Sequence, residues 1–164
     1  MRAALAVIAV LVLGACTAAD DSVPTQPLPQ RRDAGVVEQY AISDIRVGTH
    51  TGFDRVVFEF TGGSGPLGYL VRVDDDPRDD GSGLPVRVAG RTVVAVVITG
   101  VSNEQTRGYG ARKVIAGTGG IAEVSYRGVF EGQAGVFVGV DAVDPAVRVE
   151  QLAGPTRLVV DVAR

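Results

Sequence analysis

Past residue 40 the chain is built of short runs in which every second residue is apolar, separated by glycine-rich stretches. A period of two marks a strand with one face buried, because successive side chains in a strand point to opposite sides. The clearest run sets Val56, Phe58 and Phe60 against Arg55 and Glu59, and it is matched near the end by Leu158, Val160 and Val162 against Arg157 and Asp161. By the same reading, strands are predicted over 41–47, 55–60, 69–73, 86–89, 92–98, 122–130, 136–140, 147–152 and 157–162. Many short strands at close spacing predict an all-β domain, a β-sandwich of short antiparallel strands, with a barrel as the other way to close such sheets. Residues 103–113 are expected to be helical or irregular, and Gly108 and Gly110 argue against a long helix there.

Glycine in Ala89-Gly90-Arg91 and Ala153-Gly154-Pro155 suits tight reversals, so the strands flanking each are expected to be hairpin partners. The two arginine-bearing runs carry a more specific expectation. Laid antiparallel and in register, each would set its arginine opposite the other's acid, a favourable cross-strand pair, whereas parallel pairing would oppose arginine to arginine. Val56, Phe58, Phe60, Leu158, Val160 and Val162 should then be core, and Arg55 and Arg157 a structural surface pair.

The region before residue 40 has neither period. Met1-Arg2 is followed by an unbroken apolar run over 3–13 and then Gly14-Ala15, the layout of an export signal. A membrane-spanning helix needs roughly 20 apolar residues, more than this run supplies. Leu13-Gly14-Ala15-Cys16 resembles the bacterial lipobox, in which two small residues precede a cysteine that is acylated, and Cys16 is the single cysteine of the chain. An exported chain with one cysteine forms no internal disulfide, which favours lipid attachment at Cys16. Acyl burial is worth about 0.8 kcal/mol per methylene, so two or three chains hold a protein at a membrane. The organisation expected is a lipoprotein signal peptide over 1–15, a lipidated cysteine and flexible linker over 16–37, and a β domain over 38–164. Pro24, Pro27 and Pro29 punctuate the linker; twenty flexible residues would span roughly 25 Å. The protein is therefore expected at the cell membrane, lipid-anchored on the extracytoplasmic face.

Composition narrows the partners. The net charge of -3 and pI near 5.1 exclude a phosphate-binding surface of the nucleic-acid type, which needs a basic excess. Positive charge is almost all arginine, Lys113 being the single lysine.

The segment Ile42-Ser43-Asp44-Ile45-Arg46, the run Gly52-Phe53-Asp54-Arg55-Val56-Val57-Phe58-Glu59-Phe60, the Asp-rich loop with Gly81-Ser82-Gly83, and the closing Arg157-Leu158-Val159-Val160-Asp161-Val162 together resemble the AMIN-like domain of bacterial lipoproteins. The likeness covers about residues 40–163. That family is related to the AMIN domain, a β-sandwich that accompanies cell-wall amidases and secretin components. The resemblance implies a non-catalytic module of the cell envelope with peptidoglycan or an envelope protein as partner, and it carries over no catalytic residue.

Candidate chemistry elsewhere is weak. Asp74-Asp75-Asp76-Pro77-Arg78-Asp79-Asp80-Gly81 suggests calcium, yet Pro77 breaks the ligand spacing and Pro85 stands where a bidentate glutamate would, so a solvated acidic turn is expected and no metal. Gly117-Thr118-Gly119-Gly120-Ile121-Ala122 has dinucleotide-loop glycines, but a strand is predicted to follow where the pyrophosphate needs a helix, so no cofactor is expected. Gly62-Gly63-Ser64-Gly65-Pro66 lacks the last glycine of a nucleophile elbow, and His50, the single histidine, falls in a polar turn. No catalytic residue is expected. Without tryptophan, a glycan site would rest on polar groups and a tyrosine, and the peptide carboxylates of peptidoglycan would suit forked arginine donors. The candidates are Tyr109 and Arg112, with Arg107, in a glycine-flanked loop, and Arg55 and Arg157 on the strands. A second function class, carriage of a small apolar ligand in a barrel or sandwich cavity, would show as a continuous apolar cavity of several hundred cubic ångströms rather than a filled core.

Overall fold

The computed structural model of the protein describes residues 18–34, 40–102, 109 and 112–164. Its strands in chain order are β1 (Gln30–Arg32), β2 (Tyr40–His50), β3 (Phe53–Gly62), β4 (Gly68–Val73), β5 (Thr92–Thr99), β6 (Lys113–Ala116), β7 (Ile121–Phe130), β8 (Gln133–Val140), β9 (Val147–Leu152) and β10 (Thr156–Ala163). They form two antiparallel sheets, one of four strands in the order β2-β3-β10-β9 and one of six in the order β1-β4-β5-β8-β7-β6. The all-β sandwich expected from the alternation is the fold observed.

At the centre of the smaller sheet β3 and β10 run antiparallel, with Arg55 opposite Asp161 and Arg157 opposite Glu59. The register puts Val56, Phe58, Phe60, Leu158, Val160 and Val162 on the inner face, and all six are buried in one core. Facing them from the larger sheet are Val94, Val96 and Ile98 of β5, Val136 and Val138 of β8, and Val124 and Tyr126 of β7. Each fully buried Val, Leu or Phe contributes roughly 1.5–3 kcal/mol against exposure, so this two-sided layer of aliphatic side chains holds the sheets together. β9 and β10 are joined at Ala153-Gly154-Pro155 as an antiparallel hairpin, as expected.

The other expected hairpin does not form. Residues 86–89 make no strand, and β5 pairs instead with β4 and β8. The connection over 74–91 is laid across the outer face of the larger sheet, and two glycines of β8 make room for it. A Cβ at Gly139 would lie 1.6 Å from the Ala89 carbonyl oxygen, and one at Gly135 would lie 3.1 Å from an Asp80 carboxylate oxygen. The apolar residues at 86–89 are thus explained by face packing: Val88 sits against Gly139.

The linker expected to be flexible over 16–37 is corrected over its described part. Residues 18–34 form a strap along the domain. Val147 N–H donates to the Gln26 carbonyl at 2.8 Å, Pro24 is buried, and β1 adds to the edge of β4. Backbone bonds, arginine side chains and two isolated apolar residues, Pro24 and Leu28, rather than a periodic apolar pattern, bind it there. Cys16 lies outside the described residues. So does most of 103–113, whose last residue, Lys113, opens the short edge strand β6 rather than ending an irregular segment. Edge strands of three and four residues, β1 and β6, bound the larger sheet, and short edges offer little to pair with another chain.

Candidate functional site

The outer face of the smaller sheet carries the most elaborate polar arrangement. Across the sheet, Arg55 of β3, Asp161 of β10 and Arg148 of β9 occupy one row. The Asp161 carboxylate is 1% exposed and accepts from both guanidiniums: Arg55 Nε at 2.6 Å and Nη2 at 3.0 Å, Arg148 Nη2 at 2.6 Å and Nε at 3.2 Å. The expected Arg55 to Asp161 pair therefore exists, but as a nearly buried triad and not a surface pair. Its partner row is different: Arg157 faces Glu59 in register, while Glu59 bonds Arg46 at 3.0 Å and Arg157 Nε reaches the Pro155 carbonyl at 3.3 Å.

Two residues along β3 toward the end of the sheet, Phe53 also faces outward, opposite Ala163, yet is fully buried. Its ring stacks on the His50 imidazole at 4.7 Å, and the Arg55 and Arg148 guanidiniums stand 5.3 and 5.7 Å from its centroid. Cations over an aromatic face are held by the ring quadrupole. The two guanidiniums also point at the strap. Arg55 Nη2 and Arg148 Nη2 donate to the Asp20 main-chain carbonyl at 2.7 and 2.6 Å, and Arg148 Nη1 meets the Asp20 carboxylate at 3.0 Å and Ser22 Oγ at 2.8 Å. Asp21 Oδ1 lies 3.4 Å from Arg55 and 3.5 Å from His50 Nδ1. His50 is thus engaged on both ring and nitrogen, where an exposed turn was expected. Hydrogen bonds from the Ser22 amide and hydroxyl, helped by the two arginine charges, hold the Asp20 carboxyl below its ordinary range.

A second two-arginine clamp fixes the 74–91 connection on the opposite face. Asp79, nearly buried where a solvated turn was expected, accepts from Arg112 Nη2 at 2.9 Å, Arg127 Nη2 at 3.0 Å and Ser82 Oγ at 3.0 Å. Burial pushes its carboxyl up, but the bonds from Arg127 and Ser82 and the Arg112 charge outweigh this and leave it lowered. Arg112 therefore holds structure together, although its side chain stays half exposed.

Tyr109, expected as an exposed contact, is tucked against the core. Its ring meets Tyr126 edge to face at 5.5 Å, and Lys113 Nζ covers it at 4.2 Å. Burial and the Asp44 charge raise the Tyr109 hydroxyl. Burial pushes Tyr126 up to about 12, and its hydroxyl has no hydrogen-bond partner among the described residues. Arg107 lies outside the described residues.

At one end of the sandwich a cleft of about 350 Å³ opens between the sheets, lined by Ile121, Val140, Ala142 and Val162 and by the polar residues Asp54, Asp141 and Arg164. Gly119 and Gly120 crowd its floor: a Cβ at Gly119, whose φ is +64°, would sit 2.2 Å from Asp54 Oδ1, and Gly120 N–H donates to Asp54 Oδ2 at 2.7 Å. The 117–120 glycines serve this close approach, and the strand β7 follows them. Arg164 bonds both Asp54 oxygens at 2.9 Å.

Sequence pattern located Arg55 and its acid but missed Arg148, Phe53, Asp20 and Ser22. β9 carries Arg148 between Val147 and Val149 just as β3 carries Arg55 between Asp54 and Val56, so an outward arginine in an adjacent strand was the available signal.

These features define a class: a two-sheet antiparallel sandwich whose outer faces are dressed by chain segments pinned through arginine and carboxylate clamps. A family model for the AMIN-like domain matches residues 40–164, which hold strands β2 to β10, and the chain belongs to that family. No curated protein and no solved structure matches the chain.

Proposed function

We propose that the protein is a lipid-anchored, non-catalytic binding module of the cell envelope that recognises peptidoglycan through its carboxylates. The observation that carries this reading is the family match over 40–164, because the resemblance of AMIN-like domains to modules beside cell-wall amidases implies wall recognition. The surface supports it in kind: outward arginines are the donors that forked carboxylate recognition needs. Of the arginines singled out from the sequence, Arg157, whose guanidinium reaches only a main-chain carbonyl among the described residues, is the most available. His50 is held by Phe53 and Asp21, which leaves it poorly placed to serve a nucleophile.

The anchor is Cys16, with the domain on the extracytoplasmic face. Asp20 lies four residues from Cys16, at most about 14 Å of extended chain, so the strap would keep the smaller sheet near the lipid surface. Sedimentation of the folded chain with purified sacculi tests the binding, and Arg157→Ala should weaken it severalfold. A wild-type chain that stays in the supernatant sinks the reading. Cys16→Ser should release the protein from membranes if the anchor is lipid. The second function class, carriage of a small apolar ligand, has the end cleft as its candidate seat among the described residues.

A further inference from the structure

We infer that Phe53, Arg55 and Arg148 form a binding site for an acidic peptide segment, and that residues 20–22 of this chain are its resident, displaceable occupant. The inference goes beyond wall recognition and does not depend on it.

Asp161 alone cannot account for the two guanidiniums. One carboxylate between two arginines leaves a positive excess at the surface, and each guanidinium turns its remaining N–H groups outward. Those groups are satisfied by a chain that bends at Ser22 and is read at several points: the Asp20 carbonyl by both arginines, the Asp20 carboxylate and Ser22 hydroxyl by Arg148, and the Asp21 carboxylate by Arg55 and His50. The shape is specific as well. A Cβ at Gly52 would lie 2.8 Å from Val23 Cγ2, so the glycine lets the chain following Ser22 lie flat beside Phe53. Asp20 N–H adds a bond to Glu150 at 3.3 Å. Main-chain carbonyl, two carboxylates and a hydroxyl in succession are the signature of a peptide, not of a lone anion.

The carboxylates of the occupant stay exposed: Asp20 and Asp21 keep more than half of their side-chain surface in solvent, over arginine side chains that are themselves 13% and 11% exposed. Such pairs are weak singly and screened by salt. What keeps the strap in place is covalent connection, since a tethered ligand sees its site at a millimolar effective concentration. A segment so held can leave without unfolding the sheet beneath it.

The test is hydrogen exchange on the full chain. Val147 N–H, bonded to Gln26 O, reports docking from within β9, while Val160 N–H of β10 reports the sheet. Asp20→Lys/Asp21→Lys, which alters only the strap, should speed exchange at Val147 and across 18–26 at least tenfold and leave Val160 unchanged. Wild-type protein in 0.5 M salt should move the same way by a smaller factor. Arg148→Gln should match the lysine variant; should it unfold the sheet, the strap variant still decides. A free peptide with the sequence of residues 18–26 should bind the lysine variant and not the wild type, whose site is filled. Equal Val147 exchange in wild type and lysine variant, or peptide binding alike to both or to neither, overturns the inference.

Discussion

Asp161→Asn should be among the most damaging single substitutions at any polar residue of the protein. The change keeps size and shape but removes the charge that two guanidiniums share. In the folded chain Asp161 accepts four N–H groups from Arg55 and Arg148, whose side chains are themselves only 11% and 13% exposed. Removing one member of a buried ion pair costs about 3–5 kcal/mol, because the partners stay desolvated without compensation. The guanidiniums retain the Asp20 carbonyl and a narrow path to water, which places the loss near the lower end, at about 3 kcal/mol. Against a total stability of roughly 5–15 kcal/mol this is a large fraction. Urea denaturation with an m of about 2 kcal/mol per molar would show it as a midpoint drop of about 1.5 M. Asp33→Asn is the matched control: Asp33 pairs with Arg31 at 2.6 Å, but both side chains are mostly exposed, so no measurable loss is expected. Joint replacement by Asp161→Leu, Arg55→Met and Arg148→Met should recover most of the stability, since well-packed apolar groups can replace a buried triad at little cost. An Asp161→Asn midpoint within the range of the Asp33→Asn control would refute the claim that the triad is desolvated.

Gly139→Ala should lift the 74–91 connection off β8, because the new methyl would overlap the Ala89 carbonyl; a loss of about 1–3 kcal/mol and faster tryptic cleavage at Arg87 are expected. Tyr126→Phe should leave thermal stability unchanged or raise it by up to about 1 kcal/mol, as the buried hydroxyl it removes has no partner among the described residues, and it should abolish the phenol that ionises at about 12 in a spectrophotometric titration. Asp79 has a folded pKa below its unfolded value near 3.8, so its stabilisation is complete above that value and is lost as pH falls through the folded one; Asp79→Asn should flatten the acid side of the stability curve below about pH 4.

The fold was legible where burial wrote a pattern. Val56, Phe58, Phe60 and their counterparts in β10 alternate because one face meets the core, and the Arg55 to Asp161 register followed from charge. The pattern failed where backbone bonding or face packing decides. β1 is Gln30-Arg31-Arg32, with no apolar residue; it is a strand because the edge of β4 offers it open N–H and C=O groups. β6 is exposed over most of its length and so shows no alternation of buried and polar positions. The apolar residues at 86–89 imitate a strand while packing flat on β8. Site residues obeyed the same division. Arg55 stood out on a regular strand, whereas Asp20 and Ser22 acquire their role only when a segment without periodicity lies down beside Phe53, and Tyr109 looked exposed because glycines flank it though its ring closes on Tyr126.

The central claim, that this AMIN-like sandwich reads the carboxylates of the cell wall, is tested most directly by sedimentation isotherms of the folded chain with sacculi before and after enzymatic removal of the stem peptides. The account predicts saturable binding to intact sacculi that weakens with salt and falls at least tenfold on the bare glycan. Equal binding to both materials, or binding to neither, would contradict it.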